Sequence, residues 1–151
     1  MPKVISLLCD YLARGDLFTQ ATALKGLAKV AGRSHGQVMA TMKGLLAHRK
    51  VATRRLAMES LPLVAALGDR VAMEATQRAL RDRDAQVRQK AAQALGLLAP
   101  QGHRETIEQL LWSLLEDGDK VTRRCAAISL GQLVHEADGQ AGVRRLERAI
   151  R

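Results

Sequence analysis

The side chains that could do acid–base, thiol or metal chemistry are few and lie far apart in the sequence. They are the four histidines and two cysteines, His35, His48, His103, His135, Cys9 and Cys125. No HExxH, CxxC or GxSxG motif and no glycine-rich phosphate loop is present. Carboxylates do cluster, as Asp82 with Asp84 and Asp117 with Asp119, but in charged segments typical of turns and helix N-caps. The sequence therefore predicts no catalytic residue, no metal site and no cofactor, and we do not expect an enzyme.

Each of these aspartate pairs opens a stretch that is repeated. The segments DRDAQVRQKAAQALGLL (82–98) and DGDKVTRRCAAISLGQL (117–133) lie 35 residues apart and are identical at eight of 17 positions. A third copy, TRRLAMESLPLV (53–64), matches six of 12 positions of residues 122–133 and precedes the middle copy by 34 residues. A period of 34 to 35 residues predicts a stack of similar supersecondary units.

The apolar spacing within one copy predicts the unit. Val87, Ala91, Leu95 and Leu98 fall on one helical face, and an amphipathic segment precedes each turn, as Arg70 to Arg81 does with Val71, Ala75 and Ala79 in line. In the first helix we expect Val4, Leu7, Leu8, Tyr11 and Leu12 to point inward. The predicted single domain, 1–151, comprises hairpins over about 3–30, 35–67, 69–99 and 103–135 and a terminal helix over about 141–151. That last helix is expected either to cap the stack, which we favour, or to begin a longer one.

The pattern Asp-x-x-Val-Arg-x-x-Ala-x-x-Ala-Leu-Gly-x-Leu at 84–98 resembles the HEAT repeat, in particular the short HEAT-like units of phycobilisome lyases. Residues 119–133 match well, and 50–64 match less well, with Lys50 for the turn Asp and Pro62 for the Gly. The tetratricopeptide repeat has the same period but needs aromatic residues, which make up 2% here. The resemblance implies an all-α, right-handed solenoid of about four helical hairpins plus a C-terminal helix.

The resemblance also assigns a structural role to the turn aspartates. In the family, a turn Asp and a helix Arg pair along the stack. Asp84 with Arg88, and Asp119 with Arg123, carry this ladder over, whereas Arg54 keeps the Arg without its Asp. These residues are expected to hold the structure together and not to act as a catalytic acid and base.

The net charge of +9 is concentrated in the first two predicted hairpins. Residues 17–58 contain no Asp or Glu, and a second basic cluster follows near residue 148. The predicted basic patch comprises Lys25, Lys29, Lys43, Arg49, Lys50, Arg55, Arg144, Arg145 and Arg148. Such a patch attracts polyanions or acidic proteins, although it is also consistent with a solvated face. Phe18 is the one aromatic residue within 17–58, so a stacking platform for single strands is not expected.

The second helices are expected to line the inner, concave surface and to bind the partner. Aligning the copies places a mixture of Arg, amide and apolar side chains there, which suits a protein interface. The predicted partner-binding residues are Arg55, Gln89, Lys90, Arg124 and Ile128. The resemblance implies a non-catalytic scaffold or adaptor for an acidic protein partner within a larger complex.

The basic region 17–58 could instead bind an RNA or DNA backbone. Two enzyme groups, bilin lyases and alkylpurine DNA glycosylases, also use HEAT-like stacks and are less expected, because Cys9 and Cys125 give no sign of a thiol-handling cleft and an aromatic content of 2% is too low for a glycosylase pocket. No apolar run reaches the roughly 18 residues needed to span a bilayer, so no membrane partner is expected. No small-molecule substrate is expected either. The absence of a signal-like segment and the two isolated cysteines predict the cytoplasm or another reducing compartment, with an organelle possible.

Overall fold

A computed structural model of the chain describes residues 1–134 and Arg148. Residues 1–134 form helices joined by short turns. The helices are α1 Pro2–Arg14, α2 Leu17–Val30, α3 Gly36–Leu46, α4 Val51–Val64, α5 Arg70–Ala79, α6 Ala85–Leu98, α7 Arg104–Glu116 and α8 Lys120–Leu133. The predicted terminal helix and the end of the predicted domain lie outside the described residues, apart from Arg148, which is helical and exposed. No helix in the described part of the chain is both long and apolar enough to cross a membrane.

The helices stack in two rows. The first helices of the hairpins, α1, α3 and α5, contact one another in chain order, and the second helices form the continuous row α2, α4, α6 and α8. Within each hairpin the two helices also pack together. This arrangement confirms the predicted all-α solenoid, in which each unit buries its apolar face against its neighbours.

The predicted core face of α6 is confirmed. In α6, Val87, Ala91, Leu95 and Leu98 are all buried. Every second helix has 14 residues, so the four copies align without a gap. The seventh position is a buried alanine in all four helices, and the eleventh is a buried leucine. A small residue beside a large one lets neighbouring helices approach closely while filling the space between them.

The predicted inward face of α1 was right for Leu12 and wrong for Val4, Leu7 and Tyr11. Val4, Leu7 and Tyr11 are about half exposed, Leu8 is partly buried, and the buried stripe consists of Ile5, Cys9 and Leu12. Both stripes are apolar and both follow helical spacing, so periodicity alone could not choose between them. The core accepts the stripe that contains the small Cys9 and leaves the larger Tyr11 outside.

The buried face of α5 lies one residue further along the helix than the sequence predicted. Val71 is exposed, and Ala75 and Ala79 are only partly buried. The buried residues are Ala72, Met73, Thr76 and Leu80. Thr76 is tolerated in the core because its hydroxyl donates a hydrogen bond to the Ala72 carbonyl, 2.7 Å away, within the same helix.

The loops that join one hairpin to the next form what we term the return edge, residues 31–35, 65–69 and 99–103. Equivalent residues Ser34, Gly68 and Gly102 have positive φ angles of 56°, 75° and 73°. Their backbone N–H groups donate to the carbonyls of Val64, Leu98 and Leu133, at the end of the next second helix, over 2.7 to 2.8 Å. Gly68 and Gly102 adopt this conformation without steric cost. The Ser34 hydroxyl accepts a hydrogen bond from the Ala66 N–H and donates one to Asp69.

Candidate binding surfaces

The opposite side of the stack, which we term the turn edge, contains the loops between first and second helices. There, an arginine at the fourth position of one second helix reaches the turn of the next hairpin. Arg54 donates to both carboxylate oxygens of Asp82, over 2.8 and 3.0 Å. Arg88 binds Asp117 with the same two distances. The Asp117 side chain is only 3% exposed, so this pair is largely shielded from water.

The fifth position makes a second set of contacts, to the second aspartate of each turn. Arg55 donates to the two oxygens of Asp84 over 2.8 and 2.6 Å, and the Gln89 amide donates to Asp119 over 2.9 Å. Asp84 also caps its own helix by accepting from the Val87 N–H at 3.0 Å. The second aspartate of each turn therefore caps its own helix and binds the preceding hairpin.

These contacts favour the ionised carboxylates. The hydrogen bonds from Arg55 lower the pKa of Asp84 to about 2, with the Val87 N–H as a further cause. Burial acts in the opposite direction at Asp82, but the hydrogen bonds from Arg54 and the Asp84 N–H hold the pKa of Asp82 below its ordinary value. At Asp119, the hydrogen bonds from Gln89 and then Thr122 lower the pKa.

The partners in this ladder differ from those that the sequence predicted. Asp84 binds Arg55 and not Arg88, and Arg54, expected to lack an aspartate, has Asp82. Arg123 donates to the Asp117 carbonyl at 2.7 Å and not to Asp119. The physical reason is that a guanidinium at the fourth position extends toward the next hairpin, so the pair joins two copies. Aligning the copies could not distinguish a pair within one copy from a pair between two.

Between the first and second hairpins, both members of the ladder are missing, the arginine of α2 and the aspartate of the turn before α4. The fourth and fifth positions of α2 are Gln20 and Ala21, and the turn before α4 is His48-Arg49-Lys50. His48 takes the place of Asp82 within the turn, because its Nδ1 accepts from the Lys50 N–H at 3.1 Å, as an Asp82 oxygen accepts from the Asp84 N–H at 2.9 Å. The arginine and its aspartate partner are thus missing together, and no buried charge is left unpaired.

The exposed face of the second-helix row is a separate surface. Its centre consists of the ninth and thirteenth helix positions, where α4, α6 and α8 present Leu63, Leu97 and Ile128 at 54%, 60% and 55% exposure. Lys25 and Lys29 occupy the same positions in α2, and both are exposed. Between them and the apolar residues, Glu59 forms an ion pair with Lys90 over 3.5 Å. At these two positions the row therefore changes from two lysines on α2 to one apolar and one polar residue on each of α4, α6 and α8, the polar residues being Glu59, Gln93 and Gln132.

The predicted partner-binding residues lie in different environments. Ile128 is on this exposed face, Arg124 is exposed, and Lys90 is partly buried beside Glu59. Arg55 and Gln89 are occupied by the ladder. Sequence reasoning missed Leu63 and Leu97. Alignment of the copies could have identified them, because both are leucines at the thirteenth helix position. The fourteenth residues, Val64 and Leu98, are the ones that are buried.

The predicted basic patch is divided among several surfaces. Lys25 and Lys29 belong to the second-helix row, Lys43 lies on α3, and Arg49 and Lys50 are on the turn edge. The hydrogen bond and charge of Arg70 lower the pKa of Glu74, with smaller contributions from Arg78 and Lys43. Arg55 is bound to Asp84. Arg148 is exposed, while Arg144 and Arg145 lie outside the described residues. A sequence segment without acidic residues therefore does not become one continuous basic surface.

A groove of about 540 Å³ separates α5 from α7 on the first-helix row. It is lined by Arg78, Arg81, Glu105, Gln109 and Trp112, among others. The Arg81 guanidinium lies over the half-exposed Trp112 ring, 5.8 Å from its centroid. Within residues 1–134, no group of three or more His, Cys, Asp or Glu side chains is arranged to hold a metal ion.

Comparison with known proteins adds one finding. The family described as HEAT repeats matches residues 72–151, a segment that includes both Asp-x-Asp turns and the ladder residues of α6 and α8. No curated protein matches the chain.

Proposed function

Since the chain belongs to the HEAT-repeat family, we propose that it is a non-catalytic adaptor that binds a protein partner on the exposed face of its second helices. The turn carboxylates, which are the obvious candidates for acid–base chemistry, are already bound by arginine, glutamine and helix N–H groups. Their role in the ladder accounts for their spacing without any reaction.

The observation that carries the proposal is the apolar centre of the second-helix row. Leu63 and Leu97 occupy the same position of α4 and α6, which pack against each other, and both are more than half exposed. Large apolar side chains grouped on a rigid surface are typical of protein interfaces, whereas isolated ones are ordinary. The ladder and the buried core below hold α4 and α6 in fixed positions, so little entropy is lost when a partner binds.

The proposed partner has an apolar surface with acidic residues at one end. Its apolar part covers Leu63, Leu97 and Ile128, and its carboxylates lie beside Lys25 and Lys29 on α2. Apolar anchors supply most of the binding free energy, and the lysines orient the partner and increase the rate of association.

The test compares two matched pairs of substitutions in affinity capture from the source cells. Leu63→Ser with Leu97→Ser removes the proposed anchors, and Val71→Ser with Leu115→Ser removes two exposed apolar residues from the first-helix row. We expect the first variant to lose a protein that the parent and the control variant retain, while circular dichroism shows equal thermal stability. Retention of the same partners by both variants would contradict the proposed surface.

A second candidate function is binding to a nucleic-acid backbone. It is favoured by the exposure of Lys25, Lys29, Arg49 and Lys50 within a segment that has no acidic residue. Binding to a mixed-sequence duplex would then fall steeply with salt, with a log–log slope of about −0.9 per phosphate neutralised on DNA. Lys25→Glu with Lys29→Glu and Arg49→Glu with Lys50→Glu test the two exposed surfaces separately. Binding that persists at physiological salt and is lost in either variant would favour this function over the protein adaptor.

A further inference from the structure

Among the four second helices, α4 is the one that begins without a carboxylate at its N-cap. Asp16, Asp84 and Asp119 hold that position before α2, α6 and α8, and each accepts a hydrogen bond from the backbone N–H three residues later. Before α4 the N-cap is Lys50, whose side chain makes no such bond. The first N–H groups of a helix have no partner within it and carry partial positive charge. The start of α4 therefore retains donors that an aspartate satisfies in the other copies.

Thr53, in the first turn of α4, keeps two donors for such a carboxylate. It aligns with Thr122 of α8, whose N–H and hydroxyl both donate to one oxygen of Asp119, over 2.7 and 2.9 Å. Thr53 is only 5% exposed, yet its hydroxyl has no partner among the described residues. It also lacks the bond to the carbonyl four residues earlier that the hydroxyls of Thr22 and Thr41 make. By this alignment, the N–H and the hydroxyl of Thr53 face one acceptor position that residues 1–134 do not fill.

Gln20 is a second buried polar side chain next to this turn. It stands at the fourth position of α2, from which Arg54 of α4 and Arg88 of α6 reach the turn of the following hairpin. Gln20 is 5% exposed, and its amide makes no hydrogen bond to another described residue. Because a buried amide without a partner is costly, this position favours a polar ligand at residues 48–50.

The charges around the turn have one sign. Arg49 and Lys50 are exposed, and neither forms an ion pair within residues 1–134. His48 accepts the Lys50 N–H through Nδ1, so the ring proton of the neutral imidazole lies on Nε2, which can donate. Arg54 donates to the carbonyls of His48 and Arg49 and so fixes the turn. The turn thus combines rigid backbone donors with two uncompensated cations.

We propose that residues 48–50 and the first turn of α4 form a binding site for a phosphate dianion, either free phosphate or a phosphate monoester. The Thr53 N–H and hydroxyl donate to one phosphate oxygen, as their counterparts in α8 donate to one carboxylate oxygen. Arg49 and Lys50 balance the two negative charges. Helix N-termini bind phosphate because their N–H groups and their dipole both favour an anion. A phosphodiester carries a single charge and matches two cations less well. This site is separate from the proposed protein-binding face.

The competing occupant is a carboxylate of the chain itself. The two aspartates of the turn before α6 are bound by Arg54 and Arg55. Residues 135–151, which lie outside the described part, carry Glu136, Asp138 and Glu147. The helix that precedes them, α8, ends at the return edge, whereas the proposed site is at the turn edge of α4. The test below includes these three carboxylates directly.

Titration of the full chain with inorganic phosphate, followed by the NMR shifts of its backbone amides at constant ionic strength, tests the site. We expect saturable shifts at the amides of Ala52 and Thr53. Thr53→Val removes one hydrogen bond to a charged group and should weaken binding by about tenfold. Lys50→Asp places a carboxylate at the N-cap and should abolish the saturable shifts. Lys29→Asp makes the same charge change on the exposed face of α2 and should leave the affinity within about twofold of the parent.

Two further probes, methyl phosphate and dimethyl phosphate, identify the source of the phosphate. Equal binding of methyl phosphate and inorganic phosphate would assign the site to a monoester, and preference for inorganic phosphate would assign it to the free anion. Dimethyl phosphate that binds as tightly as either would overturn the proposal in favour of a diester. Shifts that do not saturate, or equal affinity in the Lys50→Asp chain, would also overturn it. So would binding that appears only after Glu136→Gln, Asp138→Asn and Glu147→Gln are combined, because one of these carboxylates would then be the occupant.

Discussion

At the scale of single residues, the least exposed contact of the ladder is the pair of Arg88 and Asp117. Removing one partner of a largely buried ion pair leaves the other charge without compensation. We therefore expect Arg88→Met to lower the free energy of unfolding by about 3 kcal/mol, and Asp117→Asn to have a similar effect. In a double-mutant cycle measured by urea unfolding, the two losses should be far from additive.

The control for that cycle is Arg70 with Glu74, an exposed pair on α5 with the same 2.8 Å contact. Its removal should change stability much less, because solvent screens it. Equal losses of unfolding free energy for the two pairs would show that burial does not strengthen the pair of Arg88 and Asp117.

Asp84 gives stability a defined dependence on pH. Its pKa is about 2 in the folded chain and about 3.9 in an unfolded one. The unfolded state thus binds the proton more readily, so the contribution of Asp84 is complete above pH 4 and is lost as pH falls toward 2. Unfolding measured between pH 2 and 5 should be less pH-dependent in Asp84→Asn, which keeps a capping side chain. As a control, Asp10→Asn changes an exposed residue of α1 and should leave the pH dependence of unfolding as it is in the parent. The same pH dependence in Asp84→Asn and in the parent would contradict the role of Asp84.

Ser34 combines an unfavourable backbone angle with two useful hydrogen bonds. Ser34→Ala keeps the positive φ and loses the contacts to Ala66 and Asp69, and we expect a cost of about 1–2 kcal/mol. Ser34→Gly loses the same contacts but removes the backbone strain, so its cost should be smaller. Thermal unfolding of the three proteins gives the order directly. A glycine variant less stable than the alanine variant would mean that Ser34 carries no strain.

At the scale of helices, Gly96 and Gly131 occupy the same position in α6 and α8 but differ in their surroundings. A methyl group at Gly96 would press against Ser129, which is buried and fixed by its bond to Ala92. We expect Gly96→Ala to destabilise the chain by about 1–3 kcal/mol through overpacking. Gly131→Ala meets open space and should stabilise α8 by up to about 1 kcal/mol through helix propensity. Chemical denaturation of both variants checks this, and the same sign for both would contradict the described α6–α8 contact.

The sequence predicted helices better than it predicted which of their faces is buried. The second helices carry one apolar stripe, so Val87, Ala91, Leu95 and Leu98 could be identified from spacing alone. In α1, Ile5, Cys9 and Leu12 compete with Val4, Leu7 and Tyr11, and in α5 two stripes differ by one residue. The choice between such stripes depends on how well side chains fit the neighbouring helix, which periodicity does not contain.

At the scale of the whole molecule, the 34- to 35-residue period predicted the solenoid, because a repeated unit with one apolar face has to stack. The division of surface charge could not be predicted in the same way. Residues 17–58 pass through the second-helix row, the first-helix row and the turn edge, so neighbours in sequence face different directions. The pairing of Arg54 with Asp82 was missed for a related reason, since it joins two copies. Leu63 and Leu97 acquire their importance only when α4 and α6 are placed side by side.

The central claim is that the second-helix face binds a protein, and site-specific photocrosslinking tests it most directly. A photoreactive phenylalanine analogue replaces Leu97 on that face or Leu115 on the first-helix row, and the source cells are irradiated. We predict a discrete protein adduct from position 97 that is absent from position 115 and is lost when Leu63 is changed to Ser. An adduct at position 97 that nuclease removes, or equal adducts from both positions, would contradict the claim.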